Sequence, residues 1–437
     1  MKFYNRENEL NLLKQVENLS NTSAKMTFIV GRRRVGKTKL ILEAFKNSKF
    51  LYLFVAKKNE QLLCEEYSKL IENLTGKKII GRLTSFKDIF EYLMDISIST
   101  HFTLAIDEFQ EFYNINPSVF SDMQNIWDRY KDKSKLNLVL CGSIYSLMHK
   151  IFENAKEPLY GRADKKIILK PFNVNILKEI YEDLTRFNKK NYFIFYVLTG
   201  GIAKYVELFA NDKAFTYAKM IDSILSESSF FLNEGKDVLI DEFGKDYQTY
   251  FSILSLISGS KTSRSEIESV LGKSVGGFIS KLEKEYNIIK KITPILSKPN
   301  TRNIKYYIED NFLNFWFRFI YKNISAVEMG NFEYIKNIIK RDFDTYLGRM
   351  LEKYFKEKLA LTGEYSEIGS YWEKGNKNEI DIVAINKLDK KVLIADVKLK
   401  QNKINIDFLK KKAENLVASN FKNYKVEYRG YSLEEIF

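Results

Sequence analysis

The sequence predicts an α/β protein: a parallel sheet flanked by helices, then a helical module, then a second and smaller α/β part. Three stretches carry that reading. An apolar run over residues 26–30 leads through Gly31-Arg32-Arg33-Arg34-Val35-Gly36-Lys37-Thr38 into residues 39–45, which have helical spacing. A second apolar run, 102–106, ends in Asp107-Glu108. Far downstream, residues 379–385 and 392–398 alternate apolar with polar in the period of a strand.

The first stretch is a strand, a glycine-flanked loop ending in Gly-Lys-Thr, and a helix. That order wraps backbone N–H groups around a polyphosphate. Gly31 and Gly36 admit backbone angles and a close approach that a side chain would block. In such a cradle Gly31, Arg32, Arg33, Arg34, Val35, Gly36, Lys37, Thr38 and Lys39 line the nucleotide. Lys37 places its ammonium on the β- and γ-phosphates, and the Thr38 hydroxyl ligates Mg²⁺. ATP with Mg²⁺ is the expected ligand.

At 437 residues the chain is too long for one core and is expected to form two or three domains. Its 45% hydrophobic and 14% aromatic content supports packed domains, and five prolines argue against an extended linker. Two cysteines, Cys64 and Cys141, and two histidines exclude a disulfide framework and most zinc sites, so both thiols are expected buried in a reducing cytoplasm. No signal peptide and no membrane-spanning stretch is expected. The net charge of +14 favours polyanionic partners, although an AT-biased genome enriches lysine without any such partner.

Residues 3–10 open an amphipathic first helix. The run 102–106 then delivers two adjacent carboxylates at a strand's carboxyl end, the edge where open α/β sheets bind ligands. Asp107 is expected to hold the Mg²⁺ shell and Glu108 to orient and deprotonate the attacking water. A third strand, 136–141, ends in Gly142-Ser143; Ser143 suits contact with the γ-phosphate or lytic water and also a cap on the helix that follows, two compatible roles. Arg162, on a later loop, suits stabilisation of the transferring phosphoryl group, in cis or from a neighbouring subunit.

Taken together, Arg6-Glu7, the loop 31–38, Asp107-Glu108-Phe109-Gln110, Cys141-Gly142-Ser143 and Leu159-Tyr160-Gly161-Arg162 resemble the archaeal and prokaryotic P-loop ATPase family of the AAA-like and STAND-like lineage. Gly200-Gly201-Ile202-Ala203-Lys204-Tyr205 resembles the family's Gly-Gly-x-Pro-x-Tyr turn, with Ala203 in place of proline. The resemblance implies a P-loop NTPase parallel sheet, with an extra strand between the phosphate-loop strand and the acidic strand, and a helical lid, together spanning 1–235.

Residues 236–309 read as three helices and a hairpin, a winged helix-turn-helix-like module whose second helix opens on a Ser263/Glu266 capping box. The aromatic run 310–319 is expected in the core, not stacking bases. In 310–437, Glu379 and Asp381 share one strand face and Asp396 and Lys398 share another, and antiparallel pairing brings Asp381 to Asp396 and Lys398. Two carboxylates and a lysine can hold Mg²⁺, activate water and stabilise a scissile phosphate, with Glu352 joining from a preceding helix. This set resembles the restriction-endonuclease-like, PD-(D/E)xK nuclease-like domain, DUF234, attached to the same ATPases, a domain of uncharacterised function; Asp396 stands where Glu is commoner.

Two functions follow. One is an ATP-hydrolysing, Mg²⁺-dependent protein acting on duplex DNA, with a nuclease-like C-terminal domain. The other is a nucleotide-dependent switch or scaffold, either a homo-oligomer or bound to a protein partner.

Overall fold

In the computed structural model, which describes residues 2–375 and 377–437, five strands form one parallel sheet: β1 (Lys25–Val30), β2 (Phe50–Phe54), β3 (Phe102–Asp107), β4 (Leu136–Gly142) and β5 (Lys165–Ile168). Their order is β2-β3-β4-β1-β5, so β4 is the extra strand between the phosphate-loop strand and the acidic strand. Helices cover both faces, which is why these strands read as near-continuous apolar runs. Met26, Phe28, Val30, Leu104 and Ile106 enter one core layer. Ile29, Ala105 and Val139 enter the other, with residues of α1 (Glu7–Leu19) and α2 (Lys37–Phe45).

The chain divides into two compact units, Phe3–Pro171 and Phe172–Phe437, the second including Lys2. The helices Val174–Leu184, Lys189–Thr199 and Ala203–Asn211, read from sequence as the lid, cluster within the second unit. Glu357 shows why: its carboxylate accepts hydrogen bonds from the Val174 backbone N–H and the Tyr196 hydroxyl, each at 3.0 Å. The glycine turn before Ala203 forms without the proline. Gly200 and Gly201 both have positive φ, and a Cβ on Gly201 would lie 2.0 Å from the Phe172 carbonyl oxygen. Ala203 takes the first helical position, which proline favours and alanine also suits.

Later in the second unit come α3 (Tyr247–Ser258), α4 (Arg264–Leu271), α5 (Gly276–Lys284) and the antiparallel hairpin β6 (Ile289–Ile292) and β7 (Lys305–Ile308). The Ser263/Glu266 capping box is present. The hairpin's connecting loop does not project freely. Ile295 N–H donates to the Ser370 carbonyl at 2.8 Å, Trp372 Nε1 donates to Asn303 Oδ1 at 2.7 Å, and Ile295 packs into the C-terminal core. The aromatic run 310–319 is core, with Phe312, Phe315, Trp316, Phe317 and Phe319 at most 1% exposed. A π-helical stretch, Trp316–Ile320, lets Trp316 Nε1 reach the Leu232 carbonyl at 2.8 Å.

The C-terminal part runs α6 (Phe332–Leu361), β8 (Glu367–Tyr371), β9 (Ile380–Asn386), β10 (Lys391–Val397), α7 (Ile406–Asn420) and β11 (Lys425–Tyr431). Its sheet order is β11-β10-β9-β8, antiparallel except for the parallel β10–β11 pair. Both cysteines are buried and free, and burial pushes the Cys64 thiol up to about 12. Among the described residues no helix is long and apolar enough to cross a membrane.

Candidate nucleotide site and a second acidic cluster

The phosphate loop joins the carboxyl end of β1 to the first turn of α2. Gly36 caps that helix at φ 102°, and Arg34 also has positive φ, so two residues of the loop are left-handed. Gly31 is required for a different reason, since a Cβ there would sit 2.6 Å from the Leu169 carbonyl oxygen. Lys37 is 6% exposed and folds back into the loop, donating to the carbonyls of Gly31 at 2.8 Å and Arg32 at 3.1 Å. Its ammonium is therefore already in the cradle.

Asp107 is reached from three directions. Thr38 Oγ1 donates to its Oδ2 at 2.7 Å, the Tyr52 hydroxyl donates to the same oxygen at 2.8 Å, and the Glu108 N–H donates to Oδ1 at 2.9 Å. Burial and the Asp107 charge hold the Tyr52 phenol far above its ordinary range, so it remains a donor. Nothing in the sequence reading pointed to Tyr52, which comes from β2; the signal available was a hydroxyl-bearing ring in an otherwise apolar strand. Burial also raises the Cys141 thiol well above its usual value, with the Asp107 charge adding to it.

Glu108 sits at φ 54° beyond the end of β3. Its Oε2 accepts from Gln110 Nε2 at 2.5 Å and from Ser143 Oγ at 2.7 Å. Ser143 thus turns to the carboxylate, and of the two roles open to it the helix cap is not used: the next helix, Tyr145–Glu153, has no side-chain cap. Gln110 is fully buried and crowds Gly142, where any Cβ would lie 2.3 Å from Gln110 Oε1.

Arg162 requires a correction. It precedes β5, which runs parallel to β1 in the register Thr27↔Lys165, so it lies at the amino edge of the sheet. The phosphate loop leaves the carboxyl edge, separated by a strand of roughly 17 Å. The guanidinium is held there by Asp128 at 2.8–3.2 Å and by the Pro158 carbonyl at 2.7 Å. It does not serve the loop of its own chain.

In the second unit the expected convergence is present. The β9–β10 register Ile382↔Ala395 sets Asp381 beside Asp396. Lys398 Nζ donates to Asp396 Oδ1 at 2.8 Å and to Asp381 Oδ2 at 3.2 Å, and the Val397 N–H donates to Asp381 at 2.7 Å. Glu379, just before β9, is taken by Lys305 of β7 at 2.8 Å. Burial raises the Glu352 carboxyl to about 7; Lys356 opposes the rise, while Asp381 and Glu379 add to it. Burial disfavours the Lys398 ammonium, but Asp381 and Asp396 more than offset it, so its pKa is raised. The expected metal set of Asp381, Asp396 and Glu352 is not assembled: among the described residues no three acidic, His or Cys groups stand at ligand spacing. The Lys398 ammonium is the counter-charge between the two aspartates.

Two family models match the chain: an ATPase domain predominantly from Archaea over residues 3–209, and DUF234, archaeal and bacterial proteins of unknown function, over 316–432. The uncharacterised protein MJECL04 of Methanocaldococcus jannaschii is 31% identical over 415 residues, covering 92% of this chain and 88% of that protein. Among solved structures, the Walker-type ATPase PABY2304 of Pyrococcus abyssi aligns over 72% of this chain and 96% of its own at 19% identity and TM-score 0.55. The Aeropyrum pernix ORC2 protein, solved as ADPNP and ADP complexes, aligns over 75% and 96% at 15% identity and TM-score 0.50. These structural likenesses bear on the fold alone. With the phosphate loop, the acidic strand end and the whole-length relative in agreement, the chain belongs to the archaeal P-loop ATPase family that carries a C-terminal DUF234 domain.

Proposed function

We propose that the protein is a Mg²⁺-dependent ATPase. One observation carries this reading: Thr38 Oγ1 and Asp107 Oδ2, the two groups that would share a magnesium shell, meet at 2.7 Å beside a lysine already seated in the phosphate loop. Thr38 and Asp107 fit a divalent ion, which when bound supplies charge neutralisation on the β- and γ-oxygens. Lys37 leaves two backbone carbonyls to donate to the same phosphates. Tyr52 and the Glu108 N–H keep Asp107 in one orientation while Thr38 turns from it. Glu108 takes the proton of the attacking water, and Gln110 with Ser143 fixes its carboxylate until substrate arrives. Glu108→Gln is therefore expected to bind ATP as tightly as the parent while hydrolysing it about 100-fold more slowly. Parental turnover by this variant in a phosphate-release assay would remove Glu108 from the role of base.

The partner in this reading is duplex DNA, bound by the unit 172–437. The support is the exposed Lys273, Lys281 and Lys284 on and next to α5, in a chain whose net charge as a whole is +14. We read α3–α5 with the hairpin as a winged helix in which the wing packs on β8, which leaves α5 as its DNA-facing element. No measurable affinity for duplex DNA at 50 mM salt, where counterion release favours binding, would leave the nucleotide switch as the better account.

A second reading, phosphodiester cleavage by the C-terminal domain, is favoured by the meeting of Asp381, Asp396 and Lys398 on adjacent strands. The test is nicking of supercoiled plasmid with Mg²⁺ or Mn²⁺. Asp381→Ala and Lys398→Ala are expected to abolish it, and equal nicking in all three proteins would assign the activity to a contaminant.

A further inference from the structure

One turn before Glu352 on α6, Arg349 converges with Arg318 of the π-helical stretch on one hydroxyl. Arg349 Nη1 donates to Ser260 Oγ at 2.9 Å; Arg318 Nη1 donates to it at 3.4 Å and to the Ser258 carbonyl at 3.0 Å. No carboxylate pairs with either guanidinium among the described residues. Asp342, which attracts Arg318, is itself held by Arg341 at 2.7 and 2.8 Å. Burial, and then the charge of Arg349, depress Arg318 below its usual value, with Asp342 opposing.

Ser260 adds a second feature. Its φ of 84° is left-handed, an uncommon conformation for a residue with a side chain. Its oxygen accepts from two charged donors, which leaves the hydroxyl proton to donate outward. Two cationic forks and one hydroxyl therefore meet at one place. That set matches the non-bridging oxygens of a phosphate.

Position relates this point to the acidic cluster. Arg349 precedes Glu352 by three residues, so the two are neighbours on one helix face. Tyr307 of β7 feels both charges: its phenol is pushed up to about 12, first by burial, then by Glu352, with Arg349 opposing. We propose that Arg318, Arg349 and Ser260 form an anion site for a backbone phosphate of a nucleic acid. The ligand is a phosphodiester oxyanion, and the proposal rests on the reading that this unit binds nucleic acid.

The test uses the full chain, a fluorescein-labelled 20-base-pair duplex followed by anisotropy from 50 to 200 mM salt, and a crystal soaked in tungstate. Arg349 is exposed, so Arg349→Gln should fold. It is expected to weaken binding about tenfold at low salt and to reduce the slope of log K against log salt by about one. Ser260→Gly relieves the left-handed strain, so a loss of affinity in that variant is not unfolding. Tungstate density between Arg318 and Arg349 supports the site. Tungstate there with no duplex binding by the parent keeps the anion site and rejects the nucleic-acid reading. Parental affinity and slope in both variants, or a soak that leaves the arginines empty, overturns the proposal.

Discussion

Lys37→Ala is expected to abolish measurable ATP binding, a loss of at least roughly 100-fold or about 2.8 kcal/mol. Its ammonium is almost fully buried and bonded to the Gly31 and Arg32 carbonyls, both within the loop that would surround a triphosphate. The energy of those two bonds is regained when the amine turns to the phosphates. Removing it leaves the cradle's N–H groups to balance three or four negative charges without a mobile cation. Titration calorimetry with Mg-ATP measures the loss, and an unchanged thermal melt separates it from unfolding. Retention of parental affinity would mean that the nucleotide does not sit in this loop, and the roles of Thr38, Asp107 and Glu108 would lapse with it.

Local chemistry was legible before any coordinates; long-range partnership was not. The loop 31–38 and the pair Asp107-Glu108 are contiguous, and their neighbours in sequence are apolar runs of strand length, so element type and edge follow directly. The Asp381–Asp396 contact was legible for a related reason, because strand alternation and one antiparallel turn fix its register. Tyr52 escaped notice because its role depends on β2 lying next to β3, which spacing does not state. Arg162 misled in the opposite way. A loop arginine following the third strand suits phosphate, but parallel topology returns that loop to the far edge of the sheet before β5 begins. The arginine pair of the anion site joins residues 258–260, 318 and 349, and no pattern in the sequence connects three such distant segments.

The largest stability effect is expected from Lys398→Ala, and its pH dependence identifies the cause. Among the described residues Lys398 is the only counter-charge bonded to Asp381 and Asp396, both largely buried. Deleting one partner of a buried ion pair strands the rest, which costs about 3–5 kcal/mol in full burial; the partial exposure of Lys398 reduces this to about 2 kcal/mol. In the parent, Glu352 has a folded pKa of about 7, above the ordinary glutamate value of about 4.3. The folded state thus binds that proton more tightly than the unfolded state. Stability is highest below the unfolded value, falls as pH rises through the interval up to about 7, and is flat above it. In Lys398→Ala the Asp381 carboxyl, already raised by burial with Lys398 opposing, loses that counter-charge, so its folded value rises further and the fall becomes steeper. Urea melts at pH 5, 6, 7 and 8 should therefore show a variant nearly parental at pH 5 and about 2 kcal/mol weaker at pH 8. Adding Glu352→Gln should flatten the profile in both backgrounds. A deficit equal at every pH would mean that Lys398 acts by packing its aliphatic stem, and that the four side chains do not share one electrostatic site.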